Sequence, residues 1–203
     1  MEHKLAVLTL HDGREVQIRQ PGLEDLEKLM AFLTRLPDDI KQYLRYNVHN
    51  HEILSRRLKE VDSDNHWRLV AELDGRIIAD GTLDRDAYGW TRHIAELRVI
   101  VDDEFEGLGV RAGLCEEFVI LAQQAGVERM QMQVPVERTD LIPILEGLGF
   151  RQELVRKLYA KGLDGKLHDV VFMTNDVDRM WKRLEDSMHE LDTNFTRWFS
   201  GNY

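Results

Sequence analysis

The Asp-Gly pairs at 12–13, 74–75 and 164–165 each separate two runs rich in apolar residues. Asp-Gly suits the positive-φ positions of a tight hairpin turn, so each pair predicts two neighbouring antiparallel strands. The paired runs are 5–10 with 15–19, 67–73 with 76–83, and 152–160 with 167–173. Between the hairpins the period changes. Leu23, Leu26, Leu29, Met30 and Leu33 recur at helical spacing, which predicts an amphipathic helix over 23–35. A second helical stretch over 38–60 follows Pro37 and Asp38. Residues 93–101 alternate, with Ala95, Leu97, Val99 and Val101 on one face and Glu96, Arg98 and Ile100 on the other. A helix at 109–125 ends at Gly126, a strand follows at 129–136, and a short helix at 138–147. Hairpins and helices in this order make an α+β fold, a sheet packed with helices and not a regular βαβ array.

The 203 residues suit one domain with an appendage, or two small domains. A formal net charge of −10 argues against DNA or RNA as the main partner, because phosphate binding needs a clustered basic surface. Cys115 is the single cysteine, so an intramolecular disulfide and a cysteine-rich zinc site are both excluded, and a reducing cytoplasm is expected. The opening MEHKLAVLTLHDGREV reads neither as a signal peptide nor as a membrane span, and no membrane partner is expected.

From Val177 a different pattern begins. Val177, Trp181, Leu184, Met188, Leu191, Phe195 and Trp198 recur at alternating steps of four and three, a heptad seam on one amphipathic helix. Residues 175–203 therefore form a unit apart from 1–174. The seam over 177–198 either packs back on the domain or pairs with a second copy in a homodimer.

The stretch EFEGLGVRAGL, residues 104–114, lies between the alternating strand and the helix at 109–125. A strand, a glycine loop and a helix start form a plausible anion site, since backbone N–H groups and the helix dipole would face a phosphate. By spacing alone, a turn before a helix is the commoner reading of such a stretch.

The wider pattern resembles the GNAT superfamily of acyl-CoA-dependent N-acetyltransferases, from about Val16 to about Thr174. It is carried by IRQPGLEDLEKLMAFL, the hairpin at Asp74-Gly75, AELRVIV, DDEFEGLGV and ILEGLGF. With DDIKQYLRY after the first helix, the chain looks most like the GNAT domain of bacterial protein lysine acetyltransferases. The resemblance implies a central mixed, mostly antiparallel twisted sheet flanked by helices over 1–174. It implies acetyl-CoA as co-substrate, no metal, and a primary amine as acceptor: a protein lysine or a small polyamine-like molecule. Val99, Ile100 and Val101 would offer backbone groups to the pantetheine arm. The loop Glu106, Gly107, Leu108, Gly109, Val110 and Arg111 would hold the pyrophosphate, and Glu96 would be the general base. An ammonium with a pKa near 10.4 is mostly protonated at neutral pH, so attack on a thioester needs such a base. As a strand carboxylate alone, Glu96 would pair with Arg98 or Arg92.

Four places in the chain depart from the family pattern. Glu106 replaces Gln or Arg, and sets a negative charge beside an anionic ligand, at a cost on the order of a few kcal/mol at contact distance. Arg111 replaces a small residue, and its guanidinium can bind phosphate or neutralise Glu106. Glu137-Arg138 stands where an asparagine is usual, and Leu145 where a general-acid tyrosine is usual; Tyr88 and Tyr159 are the substitutes on offer. A non-catalytic GNAT-fold binding module is the alternative these departures leave open. Cys115 is expected to be buried and inert, and His49, His51, His66, His93 and His168 lack the spacing of a metal pair.

Overall fold

The computed structural model describes residues 6–41, 44, 50–61 and 64–186, apart from the side chain of Asp39. Its strands are β1 (Ala6–Thr9), β2 (Glu15–Arg19), β3 (His66–Leu73), β4 (Arg76–Arg85), β5 (Ile94–Val101), β6 (Arg129–Pro135), β7 (Arg151–Lys161) and β8 (Leu167–Asp176). The helices are α1 (Leu26–Arg35), α2 (Asp38–Lys41), α3 (His51–Lys59), α4 (Val110–Gln124) and α5 (Leu141–Gly147). A sixth, α6, covers the described residues 177–186.

The eight strands form one sheet in the order β1-β2-β3-β4-β5-β6-β8-β7. Every described neighbour pair is antiparallel except β5 with β6, which is parallel. These three Asp-Gly pairs turn hairpins, whereas Asp80-Gly81 runs within β4, and Asp74 (φ 50°) with Gly75 (φ 79°) takes the two left-handed positions of its turn. One face of the sheet is covered by α4, whose Leu114, Phe118 and Val119 pack with Leu83, Leu97 and Val99. The other is covered by α1 and α3, where Leu29, Phe32, Leu33, Leu54 and Leu58 meet Val70 and Ile77.

Four details differ from the expectations. The stretch at 38–60 is not one helix: α2 stops at Lys41, and α3 begins anew at Asn50, whose side chain accepts the Ile53 N–H at 3.1 Å as an N-cap. The short helix starts at Leu141, because Arg138 first closes a turn onto the Pro135 carbonyl. In β4, Ile78 is an extra residue between the pairs Ala71↔Ala79 and Glu72↔Ile77. This bulge sends Ile77 to one core and Ile78 with Ala79 to the other. The last two strands are longer than predicted, and β7 at the sheet margin is exposed along almost its whole length.

In α6, Val177 and Met180 are buried in the principal core and Leu184 packs against it. Met188, Leu191, Phe195 and Trp198 of the heptad seam, and His49, lie outside the described residues.

Candidate functional site

The site originates in the one parallel junction of the sheet. Strand β5 pairs with β4 along its length, from Ala95↔Arg85 to Val101↔Ala79. Its pairing with β6 covers Ile94↔Arg129, Ala95↔Met130 and Glu96↔Gln131. Beyond Glu96 the two strands diverge, and β6 continues with β8 as far as Pro135↔Val170. Leu97 to Val101 thus present a strand edge without a β6 partner, the arrangement an extended ligand can join by backbone pairing. A cavity of about 140 Å³ lies in the fork, lined by Leu97, Val99, Met132 and Val134 and bounded by Glu106, Arg111 and Arg138.

The loop after β5 is built by local chemistry. Asp102 caps a short 3-10 turn, Asp103–Phe105, and the Phe105 ring is buried. Gly107 (φ 77°) and Gly109 (φ 96°) then adopt left-handed conformations that suit glycine. His11, in the first hairpin, pins the loop: its N–H donates to Leu108 O at 3.1 Å, and its Nδ1 lies 3.1 Å from Gly107 O. Gly109 is the N-cap of α4 and supplies no capping side chain, so the N–H groups of the first turn face the loop's open side uncapped.

Within this loop, Glu106 and Arg111 form an ion pair, so the two departures from the family pattern neutralise each other. The Arg111 side chain is 6% exposed and turns inward, where Nη1 donates to the Val99 carbonyl at 2.6 Å. Its buried Nε has no hydrogen-bond partner among the described residues. Arg138 Nη2 lies 3.8 Å from Glu106 and 3.0 Å from Asp140.

Glu96 lies where the fork opens, on the face opposite the α4 core. Arg98, two residues along the same face, pairs with it at 2.6 Å, which is the contact expected of a strand carboxylate. Asp80 and Thr82 of β4 line the cavity on that face as well. Next to them Arg68 grips Asp80 through two hydrogen bonds of 2.7 Å, and Asp84 meets His66 at 2.6 Å. Arg68, Asp80 and Thr82 were not singled out in the sequence, and Arg138 entered only with Glu137 as a departure from a family asparagine. The alternation of Asp80, Thr82 and Asp84 was the available signal, since a period of two places them on one face beside Glu96 and Arg98.

The structure brings Glu96, Val99, Ile100, Val101, Glu106 and Arg111 around one fork, with Gly107 to Val110 at its loop end. It does not bring the tyrosines. Tyr88 is exposed in a loop, Tyr159 on β7 stacks edge-to-face with Phe172 at 5.2 Å, and neither lines the cavity. Leu145 is fully buried core. Burial pushes the Cys115 thiol up to about 12, which keeps it protonated and unreactive at neutral pH. A wider depression of about 460 Å³ opens between Gly149 and α6, remote from the residues of the fork. No described helix is long and apolar enough to cross a membrane.

No protein-family model matches the chain. Among curated proteins it is similar to an L-amino acid N-acetyltransferase (AaaT) of Escherichia coli, 27% identical over 107 residues. That match covers 52% of this chain and 65% of the relative's length. Among solved structures it is similar to an acetyltransferase of the GNAT family from Streptococcus pneumoniae, with a TM-score of 0.68, 25% identity, and coverage of 79% of this chain and 98% of that one. Mycobacterium smegmatis RimJ, solved in complex with CoA-disulfide, gives a TM-score of 0.71 at 19% identity, covering 86% and 88% respectively. The α+β fold of this chain is that of the GNAT acetyltransferases.

Proposed function

We propose that this GNAT-fold chain is an N-acetyltransferase that moves an acetyl group from acetyl-CoA to a primary amine by direct attack. The observation that carries this reading is the fork of β5 and β6, with an uncapped helix start at its end. The pantetheine arm would pair along Val99, Ile100 and Val101. The pyrophosphate would meet the N–H groups from Gly107 to Arg111, where the helix dipole favours an anion. Glu106 would be a poor neighbour for that anion if it stood alone, but the cations Arg111 and Arg138 both stand beside it.

Glu96 would take the proton of the attacking amine, directly or through a water. The amine nitrogen then forms its bond to the thioester carbonyl carbon, and the oxyanion is held by a backbone N–H near Ile100. When the carbon–sulfur bond breaks, the thiolate leaves and takes up the second nitrogen proton, which gives the neutral amide and the free thiol. It needs no dedicated acid, because a thiol pKa near 8.5 makes it a tolerable leaving group. This accommodates Leu145 in place of a tyrosine. The buried Cys115 offers no acyl-enzyme route.

A protein lysine, favoured by the sequence resemblance, and a free amino acid, the substrate in the name of the Escherichia coli relative, are the acceptors to test first. The single cysteine supports a cytoplasmic setting. Val177 and Leu184 of the heptad seam pack on the domain itself, so a homodimer through 177–198 would rest on the seam's later residues, and a strictly monomeric mass at high concentration would remove it. Incubation with labelled acetyl-CoA and a panel of lysine peptides, polyamines and amino acids tests the activity. The expected result is a stable N-acetyl product that depends on Glu96. Release of label as acetate alone, with no acetylated amine across the panel, would refute the reading.

A further inference from the structure

Given the acetyl-CoA reading above, we infer that Arg111 is a latch on the donor cleft. Its guanidinium occupies the stretch of β5 that the donor's arm has to reach, and the arm enters only after this side chain withdraws.

The latch is defined by where its hydrogen bond goes. Val99 lies in the part of β5 that has no β6 partner, so its carbonyl is an acceptor open to an extended ligand. Arg111 Nη1 already takes that acceptor at 2.6 Å. With the guanidinium in place the cavity is about 140 Å³, below the roughly 300–1,000 Å³ of ordinary ligand pockets. An arm laid along β5 therefore competes with Arg111 for both the volume and the backbone partner.

Two further features make the contact reversible. Glu106 holds the guanidinium from the loop side, and Arg138 Nη2 stands 3.8 Å from that same carboxylate. When Arg111 departs, Glu106 keeps a cation beside it and is not left as a lone charge in the cleft. The buried Nε of Arg111, meanwhile, has no partner among the described residues. A latched state with an unsatisfied donor is not the best-bonded state open to the side chain, which lowers the cost of release. Arg111 is the second residue of α4, so on release its guanidinium remains next to the N–H groups proposed for the pyrophosphate. One side chain thus blocks the arm and, once displaced, pairs with the phosphates.

A latch and a simple phosphate ligand differ in kinetics. Removing a ligand weakens binding through faster dissociation, whereas removing a latch speeds association. The test is stopped-flow binding of coenzyme A to the full chain and to Arg111→Ala and Arg111→Met, with circular dichroism to confirm folding. The methionine variant keeps most of the buried volume should alanine compromise folding. The latch predicts association about tenfold faster or more in a folded variant, the inverse of the fraction of wild-type molecules that stand open. Binding by the variants alone, with the wild type silent, would be the same result in its extreme form. Association equal to or slower than wild type, with binding intact, would overturn the latch and leave the donor reading standing. Absence of coenzyme A binding in all three proteins would overturn both.

Discussion

Arg68 and Arg111 are both arginines in the interior, at 3% and 6% side-chain exposure, and they are held in opposite ways. Arg68 joins β3 to β4, where two parallel hydrogen bonds of 2.7 Å fasten it to Asp80. This bidentate fork is the geometry in which an arginine–carboxylate pair is strongest. Arg111 divides its guanidinium between a backbone carbonyl and the Glu106 carboxylate, which a second arginine also approaches, and its Nε finds no partner among the described residues. The first is arranged to stay and the second to be exchanged. Their places agree with this: Arg68 crosses strands in full register, whereas Arg111 lies where β5 has no β6 neighbour.

The largest effect is expected from breaking the fixed pair. Asp80→Ala leaves the Arg68 guanidinium without its carboxylate in the interior, and should cost about 3–5 kcal/mol in denaturant unfolding. A loss below 1 kcal/mol would mean that the pair is not a structural tie. Next comes Glu96→Gln, which should lower kcat/KM about a hundredfold through loss of the base. Unchanged turnover would reduce Glu96 to the partner of Arg98 that its 2.6 Å ion pair already shows. Smaller again is Gly81→Ala. The added Cβ would lie 2.5 Å from Phe118 Cε2, and the displaced ring should cost about 1–3 kcal/mol, read as a lower midpoint with coenzyme A binding retained.

The mildest effect is that of acid. The Arg19 hydrogen bonds hold the Asp25 carboxyl below its ordinary value, against burial. For Asp102, burial pushes the carboxyl up, but hydrogen bonds from Arg35 and Arg76 outweigh it, so the net direction is down. A carboxyl lowered in the folded state contributes stability that is complete above its unfolded value near 3.8 and is lost as pH falls through the folded one. Stability should therefore decline below about pH 4, and Asp25→Asn should flatten that limb of a denaturation series. A variant as steeply acid-sensitive as wild type would assign the decline to other groups.

Most of the fold was legible because local chemistry and global fold agree. Asp12-Gly13, Asp74-Gly75 and Asp164-Gly165 require left-handed turns, and the spacing from Leu23 to Leu33 marks a helix that α1 largely fulfils. The strand–glycine–helix order marked the loop, whereas Glu96 stood out only through the family resemblance, and its proposed role rests on the Glu96→Gln test. What stayed hidden was non-local. The divergence of β5 from β6 after Glu96 is a pairing property that no single strand records. The bulge at Ile78 shows only against its partner strand, and the inward turn of Arg111 depends on the Val99 carbonyl twelve residues away. The break between α2 and α3 rests on one asparagine cap within a stretch that otherwise reads as helical.

The most direct test is a calorimetric titration of the full chain with acetyl-CoA. A single site of micromolar affinity is expected, weakened by Val99→Pro, which removes a backbone N–H from the open edge of β5. No detectable heat at millimolar ligand, from protein shown to be folded, would contradict the placement of an acyl donor in the β5–β6 fork.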